Sequence, residues 1–159
     1  MRNLAEQLTI DMVNAGMVRW ASGRDDDLST DPTDPPVSVN DIYGPPITNS
    51  LNPVSLHVRY VRDRPSARLE EGFISSDVEI MVRAQTNRLA EDYARTVKRY
   101  WDGRGAYRGD VIGDGMDISW VTVSGTQQLP MPTLDEVQLS EYYYIVDLVV
   151  DYPDYALDA

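Results

Sequence analysis

The stretch DVEIMVRAQTNRLAEDYARTVKRYW, residues 77–101, decides the fold, because its hydrophobic period changes partway through. Val78, Ile80, Val82 and Ala84 alternate with Asp77, Glu79, Met81 and Arg83, which is the two-residue period of a strand running from about Phe73 to Ala84. After Gln85 the period lengthens. Ala90, Ala94, Val97 and Trp101 follow i, i+4, i+7, i+11, with Leu89, Tyr93 and Tyr100 alongside, so the spacing predicts a helix over 86–102. Thr86 suits the N-cap. Arg95, Lys98 and Arg99 fall late, where cations complement the helix dipole, and Gly103 suits the stop. The small alanines allow this helix to approach a sheet closely.

Working backwards, PVSLHVRYV carries a strand over 54–62. Val54, Leu56, Val58 and Tyr60 oppose Ser55, His57, Arg59 and Val61. It pairs with 73–84 as a long antiparallel hairpin whose tip is 63–72. Residues 21–53 are the least regular part, acidic at Asp25, Asp26, Asp27, Asp31 and Asp34 and broken by six prolines. Such a length exceeds an ordinary connection. Within it, Val37, Val39, Ile42, Tyr43 and Ile47 are apolar enough for 37–47 to lie on the body as an extended segment. Residues 3–18 form an amphipathic helix whose stripe is Leu4, Leu8, Met12 and Ala15, weakened at Gly16.

Working forwards, the glycine-rich GRGAYRGDVIGDG leads to a strand over 117–124. A long aromatic strand follows over about 140–152. Tyr142, Tyr144, Val146, Leu148 and Val150 face one way; Tyr143, Ile145, Asp147, Val149 and Asp151 face the other. Pro153 ends it, leaving 153–159 as a tail. The expected architecture is α+β: one domain over 1–159, with a mostly antiparallel sheet of about four or more strands and two helices on one face.

The 159 residues carry 14 Lys+Arg against 26 Asp+Glu, a net charge of −12. Such a surface repels a phosphate backbone rather than gripping it. There is no cysteine, which excludes disulfides, thiolate metal sites and cysteine nucleophiles. No run approaches the roughly 18 apolar residues of a membrane span. The amino end, with Glu6 and Asp11 inside its apolar pattern, lacks the core of a secretory signal, so the cytoplasm is the expected place of synthesis.

No catalytic constellation emerges. His57, the only histidine, falls on the polar side of its strand and reads as a surface or interface residue. Asp25, Asp26 and Asp27 do not fit a calcium loop. Asp110, Asp114 and Asp117 match no metal motif and read as a solvated loop; a small metal-dependent hydrolase built on them is a minor rival. The glycines over 103–115 precede a strand and lack Gly-Lys-Ser/Thr, so they are no phosphate cradle. No cofactor is expected.

Two features point to self-association. Arg59, Arg62, Arg64 and Arg68 cluster around the first strand and hairpin tip of an acidic chain. They read either as ion-paired with nearby carboxylates such as Asp63, Glu70, Glu71 and Asp77, or as a basic patch for an acidic partner surface. Val61, Met81, Val121, Val123, Ile145 and Val149 make the strands apolar on both sides. A sheet covered on one face only then needs a lid, and another protomer is the simplest one.

The helix, the segment IYGPPITNSLNP, the strand PVSLHVRYV and the unit DVEIMVRAQTNRLAEDYARTVKRYW together resemble phage tail terminator (tail-completion, minor capsid-like) proteins. Val78, Ile80, Val82 and Arg83, running into Ala90 and Ala94, carry the likeness, and LPMPTLDEVQLSEYYYIVDLVVDY resembles the closing loop and strand. The resemblance implies a homo-oligomeric ring, usually a hexamer, at the head–tail interface of the virion. It would contact the tail-tube protein and the head completion or connector protein, while genomic DNA passes the lumen without specific binding. Rival expectations are another head–tail connector, a tail-tube subunit, or an acidic DNA mimic that inhibits a nuclease.

Overall fold

A computed structural model describes residues 3–21, 33–64, 72–129 and 141–158. The fold is α+β, with a mixed six-stranded sheet and two helices. Helix α1 (Leu4–Asn14) is capped by Asn3, whose side chain accepts from the Glu6 amide. Strands β1 (Arg19–Trp20), β2 (Pro36–Val39), β3 (Val54–Arg64) and β4 (Phe73–Ala84) lead to helix α2 (Asn87–Trp101). A small hairpin, β5 (Asp110–Ile112) and β6 (Met116–Ile118), precedes β7 (Trp120–Leu129) and β8 (Tyr142–Pro153). The sheet order is β1-β2-β3-β4-β8-β7.

The long antiparallel hairpin is present: β3 pairs with β4 from Val54↔Ala84 to Arg64↔Ser75. The period change after Ala84 is realised as the junction of β4 and α2, with Thr86 accepting from the Leu89 amide at 3.2 Å. Two corrections apply to the flanks. The segment expected over 117–124 is divided, because Met116–Ile118 pairs back onto β5 and only Trp120–Leu129 joins the main sheet. β1, just before the stretch read as irregular, and β2, within it, form a parallel edge on β3, in the register Trp20↔Val37 and Val37↔Leu56.

Register defines two faces. Leu56, Val82 and Tyr144 lie in one row, Val58, Ile80 and Val146 in the next, and Val78 beside Leu148 beyond them. These side chains form the core with Leu4, Leu8 and Met12 of α1 and Ala90, Ala94, Val97 and Trp101 of α2. Each fully buried aliphatic side chain contributes about 1.5–3 kcal/mol. The helices are also tied to each other. Tyr100 donates from its hydroxyl to the Asp11 carboxylate, and Tyr93 donates to the Met17 carbonyl. Arg104, just beyond α2, pairs with the same Asp11, and the Gly113 amide donates to it at 3.0 Å. Asp11 therefore binds α1, the end of α2 and the β5–β6 hairpin into one unit.

Candidate protomer-interface site

The opposite face of the sheet carries Ser55, Arg83 and Tyr143 in one row, His57, Met81 and Ile145 in the next, and Arg59, Glu79 and Asp147 in the third. This is the face expected to need a lid. Its first two rows already have one, supplied by the chain's own residues 40–53.

That cover is stitched down by polar groups. Asn40 takes a left-handed conformation (φ 50°), donates its amide to the Val58 carbonyl and accepts from the Tyr60 amide. Asparagine tolerates this conformation better than other side chains. Ser38 donates to the Gly44 carbonyl at 2.9 Å, and Ser55 donates to that of Pro46. Thr48 donates to Glu141 at 2.9 Å, while the same carboxylate receives the guanidinium of Arg83. Arg83 also reaches the Pro45 carbonyl and lies 5.6 Å from the Tyr143 ring centre. Asn49 accepts from the amides of Leu51 and Asn52.

Beyond Asn40, inward bonds of 40–53 are made by the carbonyls of Gly44, Pro45 and Pro46 and by the Thr48 hydroxyl, with Pro45 buried, while four large apolar side chains point out. Ile42, Tyr43, Ile47 and Leu51 are 90, 86, 78 and 83% exposed. The segment 37–47 lies on the body as expected, with Val37 buried and Val39 half-buried, but Ile42, Tyr43 and Ile47 turn their side chains away from it. Scattered exposed apolar side chains are normal, but a run of them on an ordered loop marks an interaction surface.

His57 is corrected from surface to interior, at 4% exposure. Ser38 has a single hydroxyl proton and gives it to Gly44. The 2.8 Å contact between Ser38 Oγ and His57 Nδ1 then requires Nδ1–H to donate. The tautomer leaves Nε2 bare, and it has no partner among the described residues. Burial, aided by the Arg59 charge, holds the imidazole pKa below 6.5 despite the opposing pull of Asp41 and Glu79.

The arginines lie on the third row and beyond it. Arg59 pairs with Glu79 at 2.7 Å; Arg62 and Arg64 both grip Asp77 Oδ2, at 2.9 and 2.7 Å. They share a face only because Val61 is the extra residue of a β-bulge: Tyr60 sits opposite Val78 but Arg62 opposite Asp77. A matching bulge at Ser124 in β7 lies between Val123↔Leu148 and Gly125↔Asp147. The two bulges flank a cavity of about 230 Å³ lined by Asp77, Glu79 and Asp147 together with Arg62 and Arg64. Burial, with Glu79 and Asp77 nearby, raises the Asp147 pKa above 3.8. The ion-paired alternative is met for Arg59, Arg62 and Arg64, each of which remains about half or more exposed. Arg68, like most of the acidic run 24–34, lies outside the described residues.

The apolar residues divide. Val61 is 40% exposed and Met81 and Val149 are half-buried on the open face, where Ile145 is 7% exposed beneath the loop. Val121 and Val123 are corrected to the helix side, opposite Val150 and Leu148; Val121 is fully buried and offers no surface. At Asp110, Arg104 Nε donates at 2.8 Å and lowers the carboxyl pKa, so this aspartate serves the Arg104 network. Among the described residues no group of three His, Asp or Glu is placed to hold a metal ion. No helix among them is long and apolar enough to cross a membrane. No protein-family model matches the chain, and no curated protein matches it.

Proposed function

We propose that the chain is a virion structural protein of the tail-terminator kind. Identical copies close into a ring, sixfold in the expected form, that caps the tail tube, ends its elongation and presents a surface to the head connector. The observation that carries this reading is loop 40–53, which is fastened over its own sheet through Thr48 and the carbonyls of Pro45 and Pro46 and presents Ile42, Tyr43, Ile47 and Leu51 outward. Such a surface favours association over a solitary state. The resemblance of residues 3–152 to tail terminators supplies the kind of assembly. The net charge of −12 is compatible with a lumen along which DNA slides without sticking.

The test is length control. Tail-tube subunits from the same phage are polymerised with and without this chain, and tube lengths are measured by electron microscopy. A terminator shortens or arrests the tubes at substoichiometric amounts. Co-polymerisation along the tube would instead identify a tube subunit. Unaltered lengths with binding to the isolated connector would identify another head–tail joint.

A further inference from the structure

The same molecule that exposes an apolar loop at one end of its central strands carries a groove at the other. The groove holds about 640 Å³ between the β5–β6 hairpin and the turn after β8. Phe73, Tyr107, Val111 and Tyr155 line it, at 38, 106, 53 and 60% exposure. Tyr107 has φ +73°, a left-handed conformation that bulky side chains rarely adopt. Strain of this kind persists only where the surroundings impose it, and it concentrates at binding sites.

Charge supplies the second argument. Arg108 lines the groove and forms no ion pair among the described residues. Asp110 beside it is already held by Arg104, and Asp117 is the groove's other acid. In the loop, Asp41 adjoins Ile42 and Tyr43; its side chain accepts the Tyr43 amide and forms no ion pair among the described residues. The seat is mixed, polar as well as apolar, and an Asp41–Arg108 contact would join it without breaking an existing bridge. Loop and groove are also well separated. The loop lies over Met81 and Arg83 and the groove begins at Phe73, on the order of 26 Å away along β4.

We propose that loop 41–51 of one copy seats in the Phe73–Tyr107–Tyr155 groove of a second copy, with Asp41 meeting Arg108. Two different patches in contact make a heterologous interface, which propagates head to tail and closes when the rotation allows. The loop's internal hydrogen bonds hold its shape before docking and so reduce the ordering cost. The proposal rests on the self-assembly reading above and specifies the contact that reading leaves open.

The absence of cysteine makes the test direct. Tyr43→Cys and Tyr107→Cys chains are co-expressed, purified and treated with a short bis-maleimide; each variant is also treated alone. The contact predicts a covalent dimer at least tenfold more abundant in the co-expressed sample than in either single variant. Adding Ile42→Asp and Ile47→Asp to the Tyr43→Cys chain should remove it, with circular dichroism confirming an intact fold. Equal cross-linking by Tyr43→Cys alone would show a two-fold loop–loop contact and overturn the proposal, as would no mixed adduct at millimolar protein. Rings without the mixed adduct would sink this contact and keep the ring. A mixed adduct in open chains that never close would keep the contact and sink the ring.

Discussion

Arg83 on β4 grips Glu141, 58 residues further along the chain, with Nε at 3.0 Å from Oε2, and Thr48 binds the other oxygen of the same carboxylate. One acid thus joins the start of β8, the middle of the sheet and the loop that carries the exposed apolar side chains. Both charged groups are largely buried, at 15 and 13% exposure.

Removing one member of such a pair leaves the other charge without its partner. Arg83→Ala should destabilise the fold by about 3 kcal/mol. It should also raise hydrogen exchange at the amides of Leu51 and Asn52 before global unfolding. Burial opposes ionisation of Glu141, but the bonds from Arg83 and Thr48 outweigh it and place its pKa below 4.5. Its stabilising contribution is therefore complete above 4.5 and lost as pH falls through the lowered native value. Acid titration should show the loop amides losing protection in that window, and the Glu141→Gln chain should lack the transition.

His57 gives a cleaner pH signal because it is the only histidine. Its native pKa lies below 6.5, so the unfolded chain takes up the proton first. Stability from the neutral ring is complete above 6.5 and declines as pH falls through the lower native value. The single imidazole resonance should titrate below 6.5, and nitrogen shifts at pH 8 should show Nδ1 protonated and Nε2 bare. The opposite tautomer would contradict the Ser38–Gly44 assignment.

Asp147 works in the other direction. Its native pKa is raised, so its contribution is present below 3.8 and lost as pH rises through the higher native value. Asp147→Asn removes the neutral-pH penalty and should raise the melting temperature by on the order of 2 °C at pH 7. At pH 3.5 the gain should vanish.

The Val61 bulge sets which face the arginines share. Deleting Val61 removes the extra residue and leaves Tyr60 opposite Val78 and Arg62 opposite Asp77, so the ladder becomes regular while Arg62 and Arg64 keep their face and their carboxylate. The deletion should therefore cost less than about 2 kcal/mol in denaturant unfolding. A larger loss would contradict this register.

The period change after Ala84 was legible because it is local: β4 occupies Phe73–Ala84, and α2 begins at its threonine cap. Features set by distant chain segments were not. Alternation told that Val121 and Val123 share a face, but only the register with Val150 and Leu148 shows that the face meets the helices. His57 sits on the polar side of its strand, yet loop 40–53 folds over it. The parallel edge of β1 and β2 consists of two and four residues whose pairing draws together Trp20, Val37 and Leu56. The bulge at Val61 leaves no mark in composition, and the outward turn of Ile42 and Tyr43 follows from the inward bonds of their neighbours.

Cryo-electron microscopy of tail tubes grown in the presence of this chain is the most direct trial of its proposed role. A terminator predicts one closed ring of this fold at a tube end and none along the shaft. Density for the fold repeated along the shaft, or tube ends bare at saturating protein, would contradict it.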